Sequence, residues 1–147
     1  MTDSTQFAVA IHILVLAIVD GEEPVTSRRA AISVGTNPGF IRRIISRLSK
    51  AGLIEVQMGR SGGLSISKPA NEISLRDVYQ AMDSGDLLRL HASKPSDVCF
   101  VGRNIIPALE SSVSDLQQQF EAGLSAITLA DIANNVLSLA DQLETTP

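Results

Sequence analysis

Between Asn37 and Lys50 the chain reads Asn-Pro-Gly-Phe-Ile-Arg-Arg-Ile-Ile-Ser-Arg-Leu-Ser-Lys. At 100° per residue this spacing puts Gly39, Arg42, Arg43, Ser46 and Lys50 on one side of a helix, with Arg47 at the flank. Ile41, Ile44, Ile45 and Leu48 fall on the opposite side, with Phe40 at its border. A guanidinium can donate to the two acceptors of a guanine edge or clamp a phosphate, and Ser46 and Asn37 can add hydrogen bonds. A further cation, Arg60, stands in Gly59-Arg60-Ser61-Gly62-Gly63, and Thr26, Ser27 and Arg28 open a short helix whose start suits a phosphate. The chemistry these residues share is recognition of a polyanion. An ordinary solvated surface helix would divide in the same way, so the surrounding elements have to decide.

Those elements follow from caps and breakers. Residues 7–19 are apolar nearly all round and predict a buried helix, ended by the loop Asp20-Gly21-Glu22-Glu23-Pro24. Thr26 or Ser27 caps a second helix that runs to Val34 and closes on Gly35. Asn37 caps a third, with Pro38 pre-set for its first position, running to about Lys50 and stopped by Gly52. Two short helices joined by Gly35-Thr36-Asn37 have the proportions of a helix-turn-helix unit. Residues 53–58 and 64–67 then read as paired strands around the glycine-rich turn, and Pro69 ends the second. A hairpin directly after a helix-turn-helix is a winged helix, with its tip on a flanking backbone or minor groove and the third helix in the major groove.

Charge supports the same side. Residues 28–68 hold eight basic residues against Glu55 alone, a local charge of +7, whereas residues 69–147 carry −7 and residues 1–27 carry −4. The overall −4 and a pI near 5.1 therefore conceal a positive segment, which is what a phosphate backbone responds to. With 147 residues, 44% hydrophobic and 19% charged, the chain suits one domain plus an accessory element and not a disordered segment. The apolar run 7–19 is too short to span a bilayer and no positive charge precedes it, so a cytoplasmic protein is expected, with no membrane partner. A single cysteine, Cys99, excludes an intrachain disulfide and a metal site built from several cysteines within one chain.

Ser74-Leu75-Arg76-Asp77 has the spacing of a capped helix start, running to about Met82. Residues 84–103 read as a connecting loop, interrupted by Gly85, Pro95 and Gly102. A long helix is expected from about Asn104 to Ala122, with Pro107 in its first turn. Its Ile106, Leu109, Val113, Leu116 and Phe120 are spaced 3, 4, 3, 4, the seam of a coiled coil. Thr128-Leu129-Ala130-Asp131 caps a last helix ending near Leu143, before a frayed tail over 144–147. The seam either packs on the chain's own core or joins two copies; the irregular approach and the size of a DNA reader favour a two-fold homodimer. The expected fold class is therefore mainly α with a small β-hairpin: a winged helix-turn-helix domain over 1–83, the connecting loop 84–103, and dimerisation helices over 104–143.

Several of these segments together resemble a family. Asn37-Pro38, Arg42-Arg43, Leu48-Ser49-Lys50-Ala51-Gly52-Leu53-Ile54, Gly59-Arg60-Ser61-Gly62-Gly63 and Ile73-Ser74-Leu75-Arg76-Asp77-Val78 are similar to the bacterial Rrf-two transcription regulators. These are the winged-helix relatives of IscR, NsrR and CymR, and the cluster-free, YwnA-like branch is the most similar. The likeness spans about residues 7–143, including Cys99-Phe100-Val101-Gly102-Arg103-Asn104-Ile105 and Thr128-Leu129-Ala130-Asp131-Ile132. It implies a homodimer with a long dimerisation helix on a palindromic promoter site. Cluster-binding members carry three cysteines before the long helix; this chain has Cys99 alone there, so no iron–sulfur cluster and no other cofactor is expected.

The candidate DNA contacts are Thr26, Ser27, Arg28, Asn37, Arg42, Arg43, Ser46, Arg47, Lys50, Arg60, Ser61 and Gly62. Arg29 and Lys68 are ambiguous. Cys99 reads either as a redox-sensing thiol or, preferably, as a small buried side chain packed on the long helix. His12 is expected to be a satisfied core or interface residue, and neither it nor His91 has metal-site spacing. The carboxylate pairs Glu22–Glu23 and Asp83/Asp86 lie in loops without a partner base, and no catalytic site is expected. The reading is a DNA-binding transcription regulator, of repressor type; the alternative is a winged-helix module whose third helix docks an acidic protein.

Overall fold

The computed structural model describes residues 3–21 and 23–144, so Glu22 of the acidic pair and residues 145–147 of the tail lie outside the described residues. Helix α1 (Asp3–Val19) begins four residues before the apolar run and lies across the body. Ala10, Ile13 and Leu14 are fully buried, while His12 faces outward with Nε2 2.8 Å from Ser33 Oγ. Helices α2 (Ser27–Val34) and α3 (Pro38–Lys50) follow as the caps require. The Arg29 amide donates to Thr26 Oγ1 at 3.1 Å and the Phe40 amide to Asn37 Oδ1 at 2.9 Å, each satisfying an otherwise orphaned donor. Gly35, at φ +75°, turns the chain between them, and its amide and that of Thr36 donate to the Ala31 carbonyl, both at 2.9 Å.

Strands β1 (Ile54–Gln57) and β2 (Gly63–Ile66) pair antiparallel, with Ile54 opposite Ile66 and Gln57 opposite Gly63. Val25, just before α2, exchanges two backbone hydrogen bonds with Leu64 at 2.9 and 3.0 Å, so the hairpin is fastened to the helix-turn-helix. Gly63 is required for this approach, because a Cβ there would stand 2.8 Å from Pro24. A 3-10 turn (Ala70–Glu72) leads to α4 (Leu75–Ala81), whose start is a complete capping box between Ser74 and Asp77.

The C-terminal half corrects two expectations. Helix α5 runs Phe100–Ser125, so residues 100–103 belong to the helix and not to the connecting loop, and Pro107 is its eighth residue instead of a first-turn one. Cys99 takes the N-cap position, and Gly102 lets the Ser96 backbone pack against the first turn, where a Cβ would meet the Ser96 carbonyl oxygen at 2.5 Å. Helix α6 (Leu129–Glu144) docks on the body by its first turns: Leu129 and Ala133 are buried, and Leu129 belongs to the same apolar core as α1, α3 and α4, while Val136, Leu137 and Leu139 stay exposed. The backbone seals that docking, with the Leu75 amide on the Ile127 carbonyl and the Leu129 amide on the Ile73 carbonyl, both at 2.9 Å. The core therefore gathers residues from Val9 to Met82 and then Leu129. Among the described residues no helix is long and apolar enough to cross a membrane.

Candidate nucleic-acid interface

Helix α3 is anchored by Phe40, Ile41, Ile44 and Leu48, all buried, which turns Arg42, Arg43, Ser46, Arg47 and Lys50 outward. Its strong segregation means that sliding or rotating the helix would bury charge, so the cationic face is held by the apolar one. Arg43 rests over the Phe40 ring with its guanidinium carbon 5.4 Å from the centroid. Among the described residues the side chains of Arg28, Arg42, Arg43, Lys50 and Arg60 make no ion pair or hydrogen bond. No carboxylate among the described residues neutralises these charges.

A hollow flanks α3 on either side. One, of about 450 Å³, is lined by Arg43, Ser46, Arg47 and Lys50 together with Asn37 and Gln6 of α1. The other, of about 330 Å³, lies between α3 and the wing and brings Arg42 beside Thr26, Ser27, Gly59 and Gly62. Ser61 and Arg60 are exposed at the turn between those two glycines. Gly62 closes the turn: a Cβ there would collide with the Gln57 carbonyl at 2.3 Å. The helix-turn-helix start, Arg42 of α3 and the wing thus meet at one cleft. Gln6 is not among the residues that the sequence singles out. Its position at the cationic face depends on how the start of α1 packs on α3, which no local pattern encodes.

Other cations are used internally. Arg29 pairs with Asp20 at 2.7 Å, joining α2 to the end of α1, and Arg76 pairs with Glu121 at 2.8 Å, joining α4 to α5. The Gln117 amide and the Arg76 guanidinium both donate to Glu121, which lowers its pKa. Arg47 donates through Nη1 to the Met82 carbonyl at 2.9 Å and to Gln6 Oε1 at 3.0 Å.

The seam is only partly available to a partner. Phe120 packs edge-on to Tyr79, 5.3 Å between centroids, and Tyr79 packs in turn on Phe7, so this end of the seam belongs to the chain's own body. Leu109 and Leu116 remain 38% and 50% exposed, Ile106 and Val113 are half-buried, and no residue of α5 is buried. Cys99 is exposed, contrary to the buried side chain expected. It sits before the first turn of α5, where the backbone N–H groups of Gly102 and then Val101 lower its pKa without a formed capping hydrogen bond. The reason is geometric: the connecting segment folds over Gly102 through Ser96 and leaves Cys99 outside.

Comparison with known proteins places these features. The model of the Rrf2 (Rrf-two) family, described as iron-dependent transcriptional regulators, matches residues 3–135. YwnA of Bacillus subtilis (strain 168), an HTH-type transcriptional regulator by name, is 36% identical over 133 residues, covering 90% of this chain and 98% of its own. A crystal structure whose protein is described only by its binding to DNA superposes with a TM-score of 0.70 at 35% identity, covering 86% of this chain and 97% of that one. CymR, the global cysteine regulator of B. subtilis, shares the fold with a TM-score of 0.69 at 17% identity, over 89% and 95% of the two chains. The residues present do not fit the iron of the family's description. Cys99 is the single cysteine, and among the described residues no three His, Cys, Asp or Glu side chains converge. The family comprises regulators and not enzymes, and its DNA-binding fold is the one that α2, α3 and the wing form together. With nearly the whole chain matched in sequence and in shape, this protein belongs to the Rrf2 family of transcriptional regulators.

Proposed function

We propose that two copies of this chain bind a palindromic promoter operator in the cytoplasm and repress transcription. Helix α3 enters the major groove with Arg42, Arg43, Ser46 and Lys50, and Arg60 at the wing follows the flanking backbone or minor groove. Thr26, Ser27 and Arg28 hold a phosphate at the start of α2, and Asn37, Ser61 and Gly62 border the same face. The observation that carries this reading is the cleft where Arg42, Thr26, Ser27 and the wing glycines converge while the neighbouring cations lack internal partners among the described residues. The apolar Leu109 and Leu116, left open on α5, support a second copy as the partner that covers them.

Selection of bound sequences from a random duplex pool, with oxidant and with reductant, tests operator, half-site spacing and any role of Cys99 together. The expected product is an inverted repeat. Replacing Arg42 and Arg43 by alanine should lower affinity for it at least about a hundredfold, given the worth of good base contacts, and leave the melting temperature unchanged. A pool that yields no sequence, with binding insensitive to salt, would point instead to docking of an acidic protein.

A further inference from the structure

We infer that Arg47 is a positioning residue that sets the pitch of α3, and not one of its contacts with DNA; this rests on the DNA-binding reading above. Three arginines stand on α3, and Arg47 alone among them is bonded into the body among the described residues. One nitrogen, Nη1, serves two acceptors on two different elements: the Met82 carbonyl at the C-cap of α4 and Gln6 Oε1 on α1. The side chain as a whole is exposed, yet its charged end is committed.

Electrostatics favour that commitment. Arg47 lies in the last turn of α3, and its guanidinium meets the C-terminal end of α4. A helix C-terminus carries a partial negative charge, which a cation relieves, and at α4 the Met82 carbonyl takes its hydrogen bond from Arg47. Nη1 is taken up by the two acceptors, so Nε and Nη2 alone remain for a phosphate, and swinging the whole guanidinium toward one would expose the Met82 carbonyl. Lys50 and Arg43 line the same hollow without that constraint.

The strut also lies where orientation is decided. Leu48, the next residue, is fully buried, so α3 is fixed by core packing on one side and by Arg47 on the other. Met82 is fully buried too, and the chain turns immediately after it, at Asp83 with φ +51°, into the connection that leads to α5. One residue along α1 from Gln6, Phe7 starts the aromatic chain through Tyr79 to Phe120. The angle of the recognition helix is thus tied at Arg47 to α1 and to α4, the element on which α5 packs through Tyr79 and Arg76. Loss of the strut should blur specific readout without removing a phosphate contact.

The test titrates salt against the full-length protein bound to the duplex that the wild type selects, and to a scrambled duplex of equal composition. Arg47→Met should weaken the selected complex by about tenfold, the scale of losing hydrogen bonds to a charged group. Affinity for the scrambled duplex and the slope of log K against log salt should stay at wild-type values. Arg47→Lys, which restores a single cationic nitrogen on a shorter reach, should recover part of the loss. Gln6→Met keeps every positive charge and removes one acceptor; it should weaken the selected complex by a smaller factor, again with an unchanged slope. A phosphate contact predicts otherwise: Arg47→Met would flatten the slope by about 0.9 per subunit and weaken both duplexes alike. Gln6→Met, by freeing the guanidinium, would then leave affinity unchanged or raise it. Either result overturns the inference, and Gln6→Met decides alone if Arg47→Met does not fold. Wild-type protein that shows no salt-dependent duplex binding overturns the parent reading as well, and is recognised before any variant is made.

Discussion

The body of the molecule and its longest helix solve opposite problems. From Val9 to Met82, and again at Leu129, apolar side chains are closed off from water in one core shared by α1, α2, α3, α4, the hairpin and α6. Helix α5 has 26 residues and buries none of them, although it carries an apolar repeat. A helix in water is held mainly by the face it packs, and Arg76–Glu121 and Tyr79–Phe120 secure only its C-terminal half to the body. The body has a core of its own; the outer half of α5 has none beneath it.

That contrast can be broken at several points, in descending order of effect. Leu48→Ala opens the core beneath the recognition helix, where the side chain is fully buried, and should cost about 3 kcal/mol of unfolding free energy by urea titration. Leu116→Glu should do the reverse: the urea midpoint of the body stays near wild type while sedimentation reports monomers. Affinity for a palindrome should then fall about a hundredfold, as two linked half-site contacts become independent ones. A dimer that survives this substitution would place the partner surface elsewhere.

Smaller effects mark the joint between the two regions. Asp131 accepts from the Thr128 amide and hydroxyl at the start of α6, and these hydrogen bonds lower its pKa. A carboxylate with a depressed folded pKa contributes stability that is fully present above its unfolded value and lost as pH falls through the folded one. Asp131→Asn should therefore lower the melting temperature at neutral pH, where that contribution is present, and the gap to wild type should close as pH falls below the ordinary aspartate range. Smallest of all in stability is Cys99→Ser, since the thiol is exposed. The wild-type thiol should nevertheless alkylate with a pH midpoint below that of a free cysteine, because amides of α5 favour its thiolate.

Local signals account for most of what is legible in the sequence. Thr26, Asn37, Ser74 and Thr128 act as caps because each one's partner lies three residues away, within the reach of a sequence pattern. The two faces of α3 are legible for the same reason. The start of α5 falls four residues earlier than expected, because Gly102 reads as a breaker and Pro107 as a first-turn residue, while the structure uses Gly102 for a close backbone approach. The docking of α6, the exposure of Cys99 and the inward bonding of Arg47 depend on how a loop folds or on distant partners, 35 residues along the chain in the case of Arg47 and Met82. Periodicity carries no information about those.

The two hydrogen bonds between Val25 and Leu64 have a consequence for the rate of encounter. They make the wing and the start of α2 a single rigid piece, so the cleft beside Arg42 is already shaped before any duplex arrives. Little conformational entropy is then surrendered on association, and attraction between free cations and phosphates can carry the first collision directly into register.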